Sequence, residues 1–292
     1  MTVCRHSSSF PPQLADLPDP PAVLHLYGER ARFDELVCAA PSVALVGARR
    51  ASADGLDLAR ELGRTLSLCG VSVISGMALG VDSAAHEGAL AGGGQTVAVL
   101  ACGPERAYPA RRRRLHSELA ERAVVISELP PGTAPYRWAF PARNRIIAAL
   151  AQMVVVVEAA ERSGSLITAD IAADLGRNVG AVPGLPSSWH SGGANALLRD
   201  GAHLIRDARD ILDDAFGAEQ GSGPSPSRRP LPLPSTLSDD QRAVIAAVEA
   251  GFSTAASAAE YCGGAAEVVG PLTELELLGV LERRSDGSYV RL

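Results

Sequence analysis

Short runs of apolar, mostly β-branched residues alternate with amphipathic stretches from residue 43 onward. The apolar runs predict strands at 43–46, 71–75, 96–101, 123–127, 153–158 and 179–182, with a weaker seventh at 203–206. The amphipathic stretches predict helices near 55–69, 82–92, 111–122, 143–151, 168–176, 193–200 and 208–216. Strands that are apolar on both faces and separated by helices are typical of a parallel sheet covered by helices on both sides. We therefore expect residues 42–217 to form a doubly wound, mainly parallel, Rossmann-like α/β domain.

The segments on either side of this domain have different patterns. Residues 1–41 form a Pro-rich leader with little helical periodicity, in which only 18–28 has an ordered pattern. Residues 218–236 (AEQGSGPSPSRRPLPLPST) have the Gly, Ser and Pro content of a linker. Residues 237–292 predict three helices and a hairpin with SDG at its turn (285–287), which is similar to a small winged-helix domain.

Composition limits the compartment and the chemistry. The hydrophobic fraction of 47% is that of a folded globular protein, and no apolar run approaches the ~20 residues of a membrane span. The N-terminal stretch lacks the charged-then-apolar order of a signal peptide. The five cysteines are scattered without a CxxC pair, which favours free thiols over disulfides or zinc ligands. We expect a cytoplasmic protein that does not insert into a membrane and needs no metal or cofactor.

The sequence contains no lysine, so all 27 basic residues are arginine. A Walker-type NTPase requires a lysine in its phosphate loop, and Schiff-base catalysis requires a lysine amine. Both classes of enzyme are excluded.

The net charge of −6 is unevenly distributed along the chain. The leader carries −2, the α/β domain is neutral with 18 arginines and 18 acidic residues, the linker carries +1 and residues 237–292 carry −5. The helix that would be the recognition helix of a winged-helix domain has Glu267, Glu274 and Glu276 and no cation. Because duplex binding requires cations that neutralise phosphates, we expect this module to contact protein and not to read DNA sequence.

Two loops that follow predicted strands carry candidate anion-binding groups. GARRAS (47–52) places Arg49 and Arg50 directly after the first strand, and SGMALGVDSAAH (75–86) is a Gly-rich turn that opens a helix. Ligands of doubly wound sheets bind at the carboxyl ends of the strands, where amides at helix starts attract anions. Taken singly, each loop is also explained by a tight turn or a solvated arginine pair.

Two further loops add cations, an aromatic ring and hydroxyls at the same edge of the sheet. PPGTAPYRWAFPARNRII (130–147) contains Arg137, Phe140, Arg143 and Arg145, and EAAERSGSLITAD (158–170) has hydroxyls and amides at a helix start. Single-stranded nucleic acid is held in this way, with phosphates on cations and amides and bases stacked on aromatic or guanidinium planes. A single loop could be a tight turn or a solvated arginine pair, but four such loops at one edge of the sheet favour a single-strand binding site.

Taken together, these segments resemble the DNA-processing protein A (DprA/Smf) family. The matching stretches are PQLADLPDPPAVLHLYG (12–28), VALVGARR (43–50), SGMALGVDSAAH (75–86), ACGPERAYP (101–109), ISELPPGTAPYRWAFPARNRIIAAL (126–150), VVVEAAERSGSLITAD (155–170), AVPG (181–184) and GANALLRDGAHLI (193–205). The resemblance covers nearly all of 12–217 and, less sharply, 238–292. It implies a non-enzymatic protein that binds single-stranded DNA without base specificity, forms a dimer through the Rossmann-like domain and delivers the DNA to the recombinase RecA in natural transformation.

The resemblance also implies roles for individual residues. It assigns phosphate binding to Gly47, Arg49, Gly76, Arg143 and Arg145, base stacking to Phe140, and the pocket lining to Ser163, Gly164 and Ser165. Arg50, next to Arg49 in the same loop, is also placed at the binding site. The chain departs from the family pattern at Ala48, in place of a serine, and at Ala142, in place of a basic residue. We expect one hydroxyl and one phosphate contact to be lost.

Other functions have weaker support in the sequence. Nucleotide phosphoribohydrolases share a related Rossmann fold with a PGGxGTxxE loop, for which this chain has SGSLITAD (163–170). The glycine-rich part of the loop is degraded, although Thr168 persists and Asp170 could stand in for the carboxylate. Asp82 and His86 lie one helical turn apart, as metal ligands do, but no third ligand is evident, and we expect structural hydrogen bonds there. A regulator acting through 237–292 conflicts with its charge, and a dinucleotide-dependent oxidoreductase would need an unbroken GxGxxG loop.

Overall fold

The computed structural model of the protein describes residues 1–217, 237–250, 252, 254–262, 268–278, 280–283 and 289–291. The chain divides into two compact units, Met1–Gly223 and Pro224–Leu292. The linker expected at 218–236 and the SDG turn at 285–287 lie outside the described residues.

A nine-stranded sheet forms the centre of the first unit. Its strands are β1 (Thr2–Cys4), β2 (Val23–Gly28), β3 (Ser42–Val46), β4 (Ser72–Ser75), β5 (Thr96–Leu100), β6 (Val124–Ser127), β7 (Met153–Val156), β8 (Asn178–Ala181) and β9 (His203–Leu204). They lie in the order β1-β2-β6-β5-β4-β3-β7-β8-β9. The seven strands from β6 to β9 are parallel, whereas β1 and β2 are antiparallel additions at the β6 edge.

Helices cover both faces of this sheet. They are α1 (Arg30–Phe33), α2 (Ala53–Leu68), α3 (Val81–Ala91), α4 (Arg113–Arg122), α5 (Ala139–Leu150), α6 (Gly164–Asp174), α7 (Gly192–Arg199) and α8 (Ala208–Phe216). Alternate residues of β3 enter different cores, as the twofold periodicity of a strand requires. Val43 and Leu45 pack in the cluster that includes residues of α2, α3 and α8, and Ala44 and Val46 pack in the cluster that includes residues of α5 and α6. The expected doubly wound α/β fold is confirmed.

The strand order has a reversal next to β3. From β3 the chain proceeds outward through β4, β5 and β6, and it then returns to place β7 on the other side of β3. The helices that leave neighbouring strands at such a switch point go to opposite faces, which opens a crevice beyond the carboxyl ends of the strands. This topology places the loops after β3 and β7 on the two sides of one crevice.

The Pro-rich leader differs from its expected place outside the domain. β2 pairs with β6 from His25↔Ser127 to Gly28↔Val124, and β1 pairs with β2. Leu14, Leu24 and Phe33 are fully buried in the main core. Residues 1–41 are therefore part of the first unit, because pairing at the sheet edge buries apolar side chains that have no helical period to reveal them.

The remaining predicted strands and helices of 42–217 are confirmed, with shifts at two helix starts. α5 begins at Ala139, four positions before the predicted 143, and includes Pro141 in its first turn. Proline is tolerated there because the first amides of a helix have no partner within the helix. α6 begins at Gly164, after Ser163 caps it by accepting a hydrogen bond from the Ser165 amide.

The second unit has three helices and a two-stranded antiparallel sheet in its described part. The helices are α9 (Asp239–Glu249), α10 (Ala255–Cys262) and α11 (Val269–Leu277), and β10 (Leu281–Arg283) pairs with β11 (Tyr289–Arg291). Ser238 and Gln241 form a reciprocal capping box at the start of α9. The order of elements agrees with the expected helices and hairpin, and the winged-helix assignment stays a prediction.

The described residues contain neither a membrane-spanning helix nor a cluster of metal-ligating side chains. Within these ranges, no helix combines the length and apolar character of a membrane span. The same residues contain no group of three or more His, Cys, Asp and Glu side chains arranged to hold a metal ion.

Candidate nucleic-acid interface

A cleft of about 730 Å³ opens beyond the carboxyl ends of β3 and β7, at the switch point of the sheet. Its walls come from the loop after β3, the start of α5 and the start of α6. The lining includes eight of the ten expected site residues, which are Gly47, Arg49, Arg50, Phe140, Arg143, Ser163, Gly164 and Ser165. The tertiary structure thus brings together loops that are more than one hundred residues apart in sequence.

The loop after β3 is fixed to the loop after β7. The Ala48 amide donates to the Glu158 carbonyl oxygen (2.7 Å), and the amide and hydroxyl of Ser52 both donate to the Glu158 carboxylate (2.8 and 2.5 Å). A Cβ on Gly47 would lie 2.6 Å from Val81 Cγ2, so only glycine fits at this position. These contacts fix the position of the loop and of the two arginines that follow Ala48.

Arg49 and Arg50 are exposed at the cleft, and neither side chain has a carboxylate partner among the described residues. The Arg49 guanidinium lies over the Phe140 ring, with Cζ 5.3 Å from the ring centroid. The Phe140 centroid is in turn 5.6 Å from that of Tyr108. A cation held on an aromatic face, next to a second ring, provides a phosphate ligand and stacking surface in one place.

The N-terminus of α6 forms the facing wall. Ser163 Oγ lies 2.7 Å from Ser165 Oγ, and Asn144 Nδ2 of α5 donates to the Gly164 carbonyl oxygen (3.4 Å). The hydroxyls and first-turn amides of this eleven-residue helix lie at the cleft. The helix dipole makes this wall favourable for an anion.

Arg143 lines the same cleft but is 7% exposed, and its guanidinium is engaged inside the protein. Nη1 donates to the carbonyl oxygens of Gly76 (2.7 Å) and Val99, and Nε donates to Asn144 Oδ1 (3.2 Å). A Cβ on Gly76 would lie 2.4 Å from this guanidinium, so the absence of a side chain makes room for it. Burial lowers the pKa of Arg143 and the neighbouring Asp82 carboxylate opposes this, and the group remains a cation. Arg143 thus connects the ends of β4 and β5.

One amide of the loop after β4 is bonded to a buried carboxylate. The Asp82 carboxylate accepts from the Ala78 amide (3.4 Å), and burial raises the pKa of Asp82 while Arg143 and nearby backbone amides oppose the rise. A Cβ on Gly80, where φ is +85°, would lie 2.1 Å from the Ala48 carbonyl oxygen. Gly76, expected at a phosphate, lines a smaller pocket of about 90 Å³ beside the cleft and not the cleft itself.

Arg145 does not line the cleft. Its Nη2 lies 2.7 and 2.8 Å from the two carboxylate oxygens of Glu128, and 3.9 Å from Asp19 of the leader. Successive α5 residues point in different directions around the helix, so Arg143 and Arg145 cannot face the same ligand. The two arginines are close in the sequence, but the turn of the helix directs their side chains to different sides.

The cleft lining also includes residues that were not among the expected site residues. Those with polar or aromatic side chains are Asp82, Tyr108, Arg137, Asn144, Thr168 and Trp189. Tyr108 lies in a YP dipeptide of the loop that follows β5. An aromatic residue in a loop at the carboxyl end of a strand is a sequence feature that could have indicated its place in the cleft. Trp189 comes from the loop after β8 and has no local sequence feature that indicates the cleft.

Among the described residues, no third His, Cys, Asp or Glu side chain joins Asp82 and His86 in an arrangement that could hold a metal ion. His86 Nδ1 lies 2.7 Å from Thr96 Oγ1, which donates to the Val73 carbonyl oxygen (2.6 Å). Burial lowers the pKa of His86 to about 3, so the ring is neutral at physiological pH. The expected structural hydrogen bonding is confirmed.

These features define an α/β protein whose switch-point cleft combines unpaired arginines, aromatic rings and a helix N-terminus. Residues 1–216 match the family described as DNA recombination-mediator protein A, and the chain belongs to this family of DNA-processing proteins. It is 42% identical over 273 residues to the putative DNA processing protein DprA of Mycobacterium tuberculosis, which covers 92% of this chain and 68% of that protein. It is also 37% identical over 299 residues to protein Smf of Escherichia coli, covering 98% and 76% of the two chains.

Two solved structures agree with the fold and the family. DprA of Streptococcus pneumoniae superposes with a TM-score of 0.69 and 36% identity, over 74% of each chain. DNA processing protein A of Helicobacter pylori superposes with a TM-score of 0.66 and 28% identity, over 73% of this chain and 95% of that one. The Helicobacter protein is described as having a single-stranded DNA binding mode. The family resemblance inferred from the sequence is confirmed.

Proposed function

We propose that this protein binds single-stranded DNA without sequence specificity in the switch-point cleft, and that it passes the strand to RecA. The observation that carries the proposal is Arg49, which is exposed, lacks a carboxylate partner among the described residues and lies on the Phe140 ring. Arg50 and the α6 N-terminus provide further phosphate ligands, and Phe140 and Tyr108 provide stacking surface. The single-stranded DNA binding mode described for the Helicobacter relative supports the same ligand class.

The form of the cleft supports binding without base recognition. Its polar groups are cations, hydroxyls and helix amides, which recognise phosphates and carry no sequence information. Aromatic rings accept every base because each base has a π-face. A cleft of this composition selects a flexible strand over a duplex, whose bases are already stacked on one another.

Fluorescence anisotropy of a labelled oligo-dT tests the proposal. We expect tight, salt-sensitive binding that duplex DNA does not displace, and a large loss of affinity in Arg49→Ala/Arg50→Ala. Each phosphate contact removed lowers the slope of log K against log salt by about 0.7 for a single strand. The matched control is Arg206→Ala/Arg209→Ala, which removes the same charge from two surface arginines paired to α8 carboxylates. Equal binding by the two double variants would contradict the site.

Two parts of the proposal, delivery of the strand to RecA and dimerisation through the Rossmann-like domain, rest on membership of the family. We expect RecA to assemble faster on a strand already covered by this protein, as measured by RecA ATP hydrolysis on that strand. Sedimentation should give a dimer for the full chain. The acidic C-terminal unit is proposed to contact proteins, and tight duplex binding that single strands do not compete would contradict this.

Binding and not catalysis is proposed for the cleft. Asp170, the carboxylate available for a phosphoribohydrolase reaction, does not line it, and Asp82 is buried and bonded to backbone amides. Release of free base from AMP at an enzyme-like rate would contradict this part of the proposal.

A further inference from the structure

An aromatic pair, Tyr136 and Trp138, lies immediately before α5 and outside the cleft lining. The side chains are 51% and 62% exposed, although both are large and apolar. Their rings are 7° from parallel, with centroids 6.2 Å apart. Exposed, parallel rings of this size have no role in the core of the protein, and they indicate a surface that is covered by a ligand.

The orientation of the two rings suits a nucleobase. Because the rings are nearly parallel and exposed, the flat face of a base can stack on them. Among the described residues, no other aromatic ring and no cation stacks on either ring, which leaves their outer faces available.

Charge connects the aromatic pair with the cleft. Arg137 lies between the two aromatic residues, lines the cleft and has no carboxylate partner among the described residues. A strand held by Arg49 and Arg50 in the cleft can therefore continue past Arg137 with its phosphates on a cation. Proteins hold single strands by binding the phosphates to cations such as arginine and by stacking the bases on aromatic rings.

The segment that bears the aromatic pair is fixed before any ligand binds. The Gly103 amide donates to the Thr133 carbonyl oxygen (3.0 Å), and the Gly132 amide donates to the Glu105 carboxylate (2.7 Å). On the other side, the Ala142 amide of α5 donates to the Trp138 carbonyl oxygen (3.4 Å). A platform held at both ends loses little conformational entropy when a base stacks on it.

We propose that Tyr136 and Trp138 form a second base-stacking subsite, which binds one nucleobase of the strand as it leaves the cleft. This inference rests on the proposed single-strand binding and extends it to a stretch longer than the cleft alone accommodates. It assigns base stacking to the aromatic pair and phosphate binding to Arg137.

The test compares oligo-dT with an abasic strand of equal length and charge. Tyr136→Ala and Trp138→Ala should each weaken oligo-dT binding on the order of 10-fold, the usual scale for losing one stacked base, and leave abasic-strand binding unchanged. Arg49→Ala should weaken both ligands. Tyr261→Ala, which removes a tyrosine of the second unit that is also 51% exposed, is the matched control and should change neither.

Fluorescence gives a second readout, because the chain has two tryptophans. In Trp138→Phe only Trp189 emits, so quenching that wild type shows and this variant lacks belongs to Trp138. We expect such a difference with oligo-dT and none with the abasic strand. If wild type binds oligo-dT but neither aromatic variant changes affinity and Trp138 is not quenched, the subsite is overturned and the proposed function stands. If wild type binds no single strand, the proposed function fails and the subsite with it. Emission that changes on dilution without DNA would identify the pair as a contact between copies and overturn the subsite.

Discussion

Two regions of one cleft use the same guanidinium group in opposite ways. In the loop after β3, Arg49 is exposed, stands on the Phe140 ring and lacks a carboxylate partner among the described residues. On α5, Arg143 is buried and donates to the Gly76 and Val99 carbonyl oxygens. The first arginine is available to a ligand, and the second holds the cleft in shape. An arginine at a binding site therefore takes its role from its partners and not from its place in a motif.

The largest effect on stability is expected for Arg143→Ala. The change leaves the buried carbonyl oxygens of Gly76 and Val99 without this donor and removes a cation that favours the charged form of the buried Asp82 carboxylate. A buried polar group left without its partner costs about 1–3 kcal/mol, so the loss of two such hydrogen bonds adds up to several kcal/mol. Urea denaturation should show this loss in the free energy of unfolding. A variant that keeps wild-type stability and loses only DNA affinity would place Arg143 among the DNA ligands.

Arg145→Ala should have an intermediate effect on stability and leave single-strand binding intact. The side chain is 16% exposed and binds both oxygens of Glu128. Hydrogen bonds to charged groups contribute about 1.5–3 kcal/mol each when they are shielded, and this one is partly shielded. Chemical denaturation and oligo-dT anisotropy on the same preparation separate the two properties. A loss of affinity without a loss of stability would return Arg145 to the binding site.

His86 should make the fold sensitive to acid. Burial lowers its pKa from 6.5 to about 3, so the unfolded chain binds a proton that the folded protein does not bind. The stability contribution is present above pH 6.5 and is lost as the pH falls toward 3, with a slope of up to about 1.4 kcal/mol per pH unit. His86→Gln should show a shallower decline in unfolding free energy across this window. Parallel pH profiles of the two proteins would contradict the assignment.

The smallest effect on stability is expected for Arg49→Ala, because Arg49 is exposed where Arg143 is buried. An exposed arginine without an ion-pair partner contributes within about 0.5 kcal/mol to the free energy of unfolding. The same denaturation experiment should therefore give a curve close to that of wild type, although DNA affinity falls. A destabilisation as large as that of Arg143→Ala would show that Arg49 also has a structural role.

The α/β class and the loops that form the cleft follow from the sequence pattern alone. Apolar runs separated by amphipathic stretches can bury both faces only as a sheet between two helical layers, so β3 to β9 and their helices followed from the pattern. Loops after parallel strands must meet at one edge, so Arg49, Phe140 and Ser163 were expected together.

Which polar groups remain available to a ligand follows from the tertiary structure. Arg143 and Arg145 have hydrogen-bond partners at Val99 and Glu128. These partners lie on other elements, and hydrogen bonding is too short in range to be read from sequence spacing. The leader strands and Trp189 reached the sheet edge and the cleft for the same reason, since long-range packing placed them there.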